Sequence, residues 1–350
     1  MKGSQVLDGK RVLVTGGTGS LGRALVRRLL SGELGRPAKV VVFSRDEAKQ
    51  HEMRAEWNRP RVPTEDAAYR DYKRVLEFKI GDVRDYDSIS AAVRAAQFVF
   101  HAAALKQVPS CEYEPIEAVK TNVLGASNVV RAILSPGADV EVALAISTDK
   151  ACKPVNVMGM TKALQERIFV NGNLGHRTKF LCVRYGNVIS SRGSVIPLFL
   201  DQIRAGGPVT VTMARMTRFL LTLDRAVDTI FAAVTTGEAG DTYIPRAPSA
   251  SVMDVAKALI GEQKIAIEII GVRPGEKVHE ILISEEEVFR TIERGEYYVI
   301  RPVLPELGAS GPPVRDTEYS SSDVTLDIAG VRRLVAESET VRPRSAVVSA

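Results

Sequence analysis

Residues 11–22 read Arg-Val-Leu-Val-Thr-Gly-Gly-Thr-Gly-Ser-Leu-Gly and continue as RALVRRLLSGEL. An apolar run, Val12-Leu13-Val14, gives way to Gly16, Gly17, Gly19 and Gly22. A helical pattern follows, with Leu21, Leu25, Val26, Leu29 and Leu30 on one face. This order predicts strand, tight turn and helix. Glycines let a backbone come close to a pyrophosphate, and a helix N-terminus offers free N–H groups and positive potential. The spacing T-G-G-x-G-x-x-G is one residue longer than the plain dinucleotide fingerprint. Gly16, Thr18, Gly19, Ser20, Leu21 and Gly22 are therefore expected to bind a nucleotide cofactor.

The rest of the composition suits a protein of that kind. With 350 residues, 45% hydrophobic and 25% charged, the chain can bury a full core as one large or two interleaved domains. The net charge is +5, but Lys and Arg are spread among Asp and Glu, so nucleic acid is not implied. A mildly basic balance also suits phosphate-bearing small molecules. Cys111, Cys152 and Cys182 have no metal-type spacing and cannot all pair, which predicts reduced thiols and no metal site. The opening MKGSQVLDGKR lacks an apolar signal region, and no apolar run approaches membrane length. A cytoplasmic protein without a membrane partner is expected.

Outward from the first turn, strands alternate with helices. Strands are expected at 38–44, 75–80, 98–104, 140–147 and 180–185, and helices at 47–57, 89–95, 113–133 and 158–170. Residues 59–72 read as a surface loop. This alternation calls for an α/β fold with a doubly wound parallel sheet. Ligands of such sheets bind at the carboxyl ends of the strands. Ser44 and Arg45, ending the second strand, suit a 2′-phosphate and so favour NADP over NAD; Arg45 as a solvated loop charge is the plain alternative. Asp82 and Val83 follow the third strand, where an Asp meets adenine or caps a helix. Ala102, Ala103 and Ala104 let a backbone approach the cofactor, and Lys106 lies in a loop that overhangs the site. Thr148, Asp149 and Lys150 end the fifth strand. Beyond Asn187 the pattern loosens into helices at 196–205, 227–236 and 252–259, with strands at 242–245 and 266–270. Residues 1–188 and about 216–248 are read as the dinucleotide domain. About 189–215 and 249–300 form a smaller interleaved substrate domain. The extension 301–350 is expected to fold partly over the body, with a disordered end.

Met158-Gly-Met-Thr-Lys162 puts Met158 and Lys162 on one helix face. In this layout the chain resembles the extended short-chain dehydrogenase/reductases over nearly all of residues 8–300. It is most similar to the nucleotide-sugar 4,6-dehydratases that act on UDP-N-acetylglucosamine in capsule, O-antigen and flagellin-sugar pathways. The matching strings are VTGGTGSLG, SRDEAKQHEMR, GDVRDYDS, HAAALKQVP, TNVLGASNV, STDKACKPVNVMGMTK, VRYGNVISSRGSVIPLF, MTRF and IGVRPGEKVHE. Most short-chain dehydrogenases have tyrosine four residues before the lysine, where this chain has Met158, and a thioether cannot accept a hydroxyl proton. Some members of the dehydratase family also have methionine there. The proton then leaves through Lys162, Thr148, another group or water.

The resemblance implies an internal redox sequence on a tightly bound, recycled NADP. Hydride leaves C4, the resulting ketone acidifies C5–H, water is lost across C5 and C6, and hydride returns to C6. The product is a UDP-2-acetamido-2,6-dideoxy-4-hexulose. Asp149 is then the acid at O6 and Lys150, made neutral by burial and neighbouring cations, the base at C5; a loop salt bridge is the plain alternative. Lys162 holds the nicotinamide ribose and Thr148 donates to O4. Asn122, Tyr185 and Gly186 fall in matching strings beside the cofactor. Lys106, Asn187, Ser194, Val195, Arg218, Arg273 and Glu276 are placed at the UDP-sugar, with Arg215 divided between that role and the surface. His101 reads as structural. The fold usually pairs through two helices per subunit, so a homo-oligomer is expected. A nucleotide-sugar epimerase of the same fold and a non-catalytic NADP sensor are the competing readings.

Overall fold

The computed structural model describes residues 5–58, 72–189, 194–308 and 312–338. The loop read at 59–72, apart from Tyr72, and the end of the C-terminal extension lie outside them. Six strands follow the expected alternation: β1 (Arg11–Thr15), β2 (Lys39–Ser44), β3 (Leu76–Ile80), β4 (Phe98–His101), β5 (Val142–Ile146) and β6 (Lys179–Val183). β1 pairs in parallel with β2 on one side and β4 on the other. β3 continues beyond β2, and β5 and β6 continue beyond β4. The direction of winding therefore reverses between β1 and β4, which opens a crevice at their carboxyl ends.

Three further strands complete this nine-stranded Rossmann-like sheet: β7 (Thr242–Pro245), β8 (Thr291–Arg294) and β9 (Tyr297–Ile300). β7 pairs in parallel with β6, as its expected return to the sheet requires. β9 pairs antiparallel with both β7 and β8, an edge hairpin that the sequence reading did not anticipate.

Among the described helices that cover the sheet are α1 (Ser20–Leu30), α2 (Tyr86–Val93), α3 (Gly125–Ile133), α4 (Val157–Asn171) and α5 (Leu223–Thr236), and Met53 and Trp57 of the helix Glu47–Asn58 join the core of α1. Side chains alternate across a strand, so β1 serves two cores. Val12 and Val14 pack with Leu25 and Leu29 of α1 and with Val227 and Ile230 of α5. Leu13 faces the other way, into a core with Ile89 of α2, Val129 of α3 and Phe169 of α4. The helix expected over 113–133 is divided into Pro115–Ala118, a π-helical turn Val119–Leu124 and α3. That wider turn contains Asn122.

A third core gathers Ile196, Phe199, Val209, Val211, Val252 and Val255. Val331 and Val335 of the helix Ile328–Glu337 join it, so part of the extension does fold over the body. Residues 216–248, read as part of the dinucleotide domain, are split. Thr217–Leu221 pairs with Ser249–Ser251 and Asn187–Val188 in a separate small sheet, while α5 and β7 belong to the large one.

The glycine turn shows why its residue types are needed. Gly16 has φ +67°, and a Cβ there stands 2.7 Å from the carbonyl carbon and oxygen of Ala102 and the nitrogen of Ala103. A Cβ on Gly22 stands 2.6 Å from the Gly16 oxygen. Gly16→Ala is therefore expected to cost about 1–3 kcal/mol in denaturant unfolding, with loss of dinucleotide binding in calorimetric titration. Unchanged unfolding would show that the turn has room to spare.

Candidate active site

A cavity of about 790 Å³ lies over the carboxyl ends of the central strands. One end is built by the first turn. Gly19 caps α1 without a side-chain hydrogen bond, and the first helical turn holds no acidic residue, so its N–H groups meet the cavity with positive potential. Gly16, Thr18, Gly19, Ser20, Leu21 and Gly22 all line it. The bare backbone pressed between Gly16, Gly22 and Ala102 is a cradle that a Cβ would fill, which fits a dinucleotide's pyrophosphate. Next to it, Ser44 Oγ lies 2.9 Å from Thr18 Oγ1 and accepts from the Asp46 N–H. Arg45 is exposed, with its guanidinium 3.7 Å from the Asp82 carboxylate. Asp82, Val83, Ala102, Ala103, Ala104 and Lys106 continue the lining.

The other end is bordered by an ionic cluster: Thr148, Lys150 and Glu280 line the cavity, whereas Asp149, expected to face the sugar, lies behind them outside the lining. Asp149 is fully buried in the short turn that follows β5. Its Oδ1 accepts from Thr148 Oγ1 (2.9 Å) and Lys150 Nζ (3.0 Å), and its Oδ2 has no partner. Burial pushes the Asp149 carboxyl above the ordinary range, Lys150 opposes that shift, and Glu280 adds to it. Lys150 Nζ also lies 3.2 Å from Glu280 Oε1 and donates to Asn187 Oδ1 at 3.3 Å. The expectation of a neutral Lys150 is corrected here. Burial lowers its pKa, but the two carboxylates outweigh burial and hold the ammonium charged.

Lys162 and Met158 share the inner face of α4, and both line the cavity. Lys162 Nζ donates to the Ile146 carbonyl and to Gln165 Oε1 (2.8 Å), and burial lowers its pKa to about 8. Met158 packs in a small apolar cluster with Cys111 and Ala118. Tyr185 and Gly186 follow β6; the Tyr185 hydroxyl is buried without a partner. A Cβ on Gly186 would stand 2.4 Å from Phe219 Cβ and 3.2 Å from Asp149 Oδ2, so this glycine makes room for the acid. Asn187, Ser194, Val195, Arg273 and Glu276 also line the cavity, and Ser194 Oγ and Glu276 Oε2 are buried without partners among the described residues.

Two expectations change, for Asn122 and Arg218, and the open alternative for Arg215 narrows to the surface. Asn122 is not in the cavity lining. Its amide accepts from the Leu105 N–H (2.8 Å) and donates to the Leu105 carbonyl and Thr161 Oγ1 (2.9 Å each), which commits both donors and one oxygen lone pair to the loop after β4 and to α4. Arg218 reaches the cavity, but its guanidinium donates to the carbonyls of Thr217, Val278 and Lys277, leaving little for a diphosphate. Arg215 is exposed away from the lining, its Nε directed to Met213 Sδ. His101 behaves as read: fully buried, bonded to Thr15 and stacked on Phe169, with burial holding its pKa at about 3. Sequence reasoning missed Glu280, although it ends the quoted string IGVRPGEKVHE.

Asn122→Ala would leave the Leu105 N–H without its partner and the Leu105 carbonyl with only the weak Cys111 thiol donor at 3.8 Å. A loss of about 1–3 kcal/mol in denaturant unfolding is expected. A variant that unfolds like its parent yet loses dinucleotide affinity would restore the direct contact first expected of Asn122.

Residues 12–302 match the family described as polysaccharide biosynthesis protein. A UDP-glucose 4-epimerase of Rickettsia bellii is 43% identical over 297 residues, 83% of this chain and 82% of that one. A UDP-N-acetylglucosamine 4,6-dehydratase (inverting) of Campylobacter jejuni is 40% identical over 329 residues, 90% of this chain and 92% of that one. The X-ray structure of Pen from Bacillus thuringiensis is 34% identical with a TM-score of 0.82, over 94% of this chain and 99% of that one. DesIV, a dTDP-glucose 4,6-dehydratase from Streptomyces venezuelae with NAD and TYD bound, shares the fold at 19% identity and a TM-score of 0.66, over 93% of this chain and 96% of that one.

Proposed function

The chain belongs to the polysaccharide biosynthesis protein family, and from that premise we propose that it is a UDP-N-acetylglucosamine 4,6-dehydratase working with NADP. The observation that carries this reading is the Asp149–Lys150 pair, bonded at 3.0 Å, with Asp149 buried and Lys150 lining the cavity. Elimination needs an acid at O6 and a base at C5 together. The ion pair and its neutral form, a carboxylic acid facing an amine, differ only by one proton moved across that hydrogen bond. A charged Lys150 is therefore no obstacle, because passing its proton to Asp149 creates the base and the acid in one step.

When bound, the nicotinamide supplies the hydride chemistry, accepting from C4 and delivering to C6. The first turn and α1 hold its phosphates, and Ser44 with Arg45 favours a 2′-phosphate. Once C4 is a ketone, Lys150 takes the C5 proton and Asp149 protonates the departing C6 hydroxyl. These two transfers return the pair to its starting ammonium and carboxylate, so no further proton is needed before the next turnover. Met158 stands in the tyrosine position of the wider dehydrogenase family and offers no acid or base. The O4 proton is assigned to Thr148 and the low-pKa Lys162. Asn187, Arg273 and Glu276 grip the UDP-sugar, with Lys106 over the sugar, and the third core forms the substrate domain.

The epimerase name carried by the Rickettsia relatives supports a second reading. A 4-epimerase, however, exchanges hydride at C4 alone and has no use for an acid and a base at C6 and C5. No described helix is long and apolar enough to cross a membrane, and a cytoplasmic location is part of the proposal. So is a homo-oligomer, supported by exposed Leu124, Met160 and Leu164 on neighbouring helical faces.

The purified protein, incubated with UDP-N-acetylglucosamine in deuterated water, is expected to release a 4-keto-6-deoxy product, identified by NMR and mass spectrometry. Asp149→Asn and Lys150→Met are each expected to lower turnover by about 10²–10⁴-fold while still binding NADP. Full turnover by either variant would remove that residue from the elimination.

A further inference from the structure

Glu280 lies 130 positions from Lys150 in the chain, yet it completes the lysine's surroundings. The Lys150 ammonium has three donors and meets three acceptors: Asp149 Oδ1 at 3.0 Å, Glu280 Oε1 at 3.2 Å and Asn187 Oδ1 at 3.3 Å. Two of the three are carboxylates.

The backbone of Glu280 is fixed where it enters the strand Ile281–Ile283. Its N–H donates to Ser321 Oγ (2.9 Å), and its carbonyl accepts from the Ser321 N–H (2.8 Å). The side chain is 2% exposed and lines the cavity, and its second oxygen, Oε2, has no hydrogen-bond partner. A buried carboxylate is costly unless neighbouring charge compensates it. Lys150 is the nearest cation, with Arg218 Nε at 3.9 Å and Lys277 Nζ at 4.0 Å.

We propose that Glu280 is the positioning residue of this site: its carboxylate fixes Lys150 Nζ opposite Asp149 and retains the single proton that Asp149 and Lys150 share. The role in catalysis rests on the dehydratase reading given above. The argument is geometric and electrostatic. A negative charge 3.2 Å from Lys150 raises the proton affinity of both members of the pair. Arg218 and Lys106 act on Lys150 in the opposite sense, and Lys277 stands 4.0 Å from the Glu280 carboxylate itself. Without Glu280 the pair is left among cations and gives up its proton at lower pH.

Glu280→Gln keeps the shape and removes the charge. If the wild type makes the 4-keto-6-deoxy product, the alkaline limb of its kcat/KM profile marks loss of the shared proton. That limb is expected to move down by about 1–3 pH units in Glu280→Gln, and Glu280→Asp is expected to restore part of the shift. A merely structural residue would lower the plateau and leave the limb in place, and that result overturns the proposal.

A thermal-melting cycle tests the same contact without any turnover. Glu280→Gln is expected to lower the melting temperature of the wild type but not that of Lys150→Met, in which the carboxylate has already lost its nearest partner. Equal lowering in both backgrounds overturns the proposal even if UDP-N-acetylglucosamine is converted. Conversely, a wild type that leaves the sugar unchanged but shows the expected cycle contradicts the dehydratase reading alone.

Discussion

The turn after β1 must lie against the backbone that leaves β4, and glycine at position 16 makes that approach possible. Much of the cofactor end follows from this constraint. With Gly16 seated on Ala102, α1 begins directly over the crevice and presents its uncapped N–H groups there. The two strands are also tied by side chains, since Thr15 Oγ1 and His101 Nδ1 lie 2.9 Å apart. Asn122 then clamps Leu105, so the loop beyond the alanines keeps its course. Small residues, a buried histidine and an amide thus serve one purpose: exposed backbone donors held at a fixed distance from the chemistry.

The opposite end solves a different problem, which is keeping charge out of water without losing it. Asp149 and Glu280 are buried, Lys150 is partly buried between them, and Arg218 and Lys277 stand close to Glu280. A second network supports the segment from below. Ser147 Oγ donates to Glu166, Arg184 bridges Glu166 and Glu287, and Glu287 also accepts from the Ser284 N–H. The turn holding Thr148, Asp149 and Lys150 is therefore anchored to the segment that delivers Glu280. Buried polar networks are costly unless every partner is in place, and a fully paired one fixes geometry. Here the unpaired atoms, Asp149 Oδ2 and Glu280 Oε2, belong to the groups assigned to proton handling.

Local sequence foretold what local physics dictates. The run from Arg11 to Leu30 read as strand, turn and helix because periodicity and glycine spacing agree over a short window. Asp149 and Lys150 were legible because they end a strand in an α/β pattern. What escaped is long-range. Glu280 meets Lys150 only through the pairing of Ile281–Ile283 with Tyr319–Ser320, which no window reveals. The β8–β9 hairpin turns at Gly295, φ +62°, but its pairing with β7 depends on where the sheet ends. Asn122 and Arg218 were placed by their strings, and only coordinates show that backbone carbonyls and amides occupy them first. The charge state of Lys150 depends on that same distant carboxylate.

The most direct test of the central claim follows one hydrogen. UDP-N-acetylglucosamine labelled with deuterium at C4 should yield a product bearing that deuterium on its C6 methyl group, because one hydride is taken from C4 and returned to C6 of the same sugar. Label retained at C4, with the configuration there inverted, would contradict the account and make the protein an epimerase.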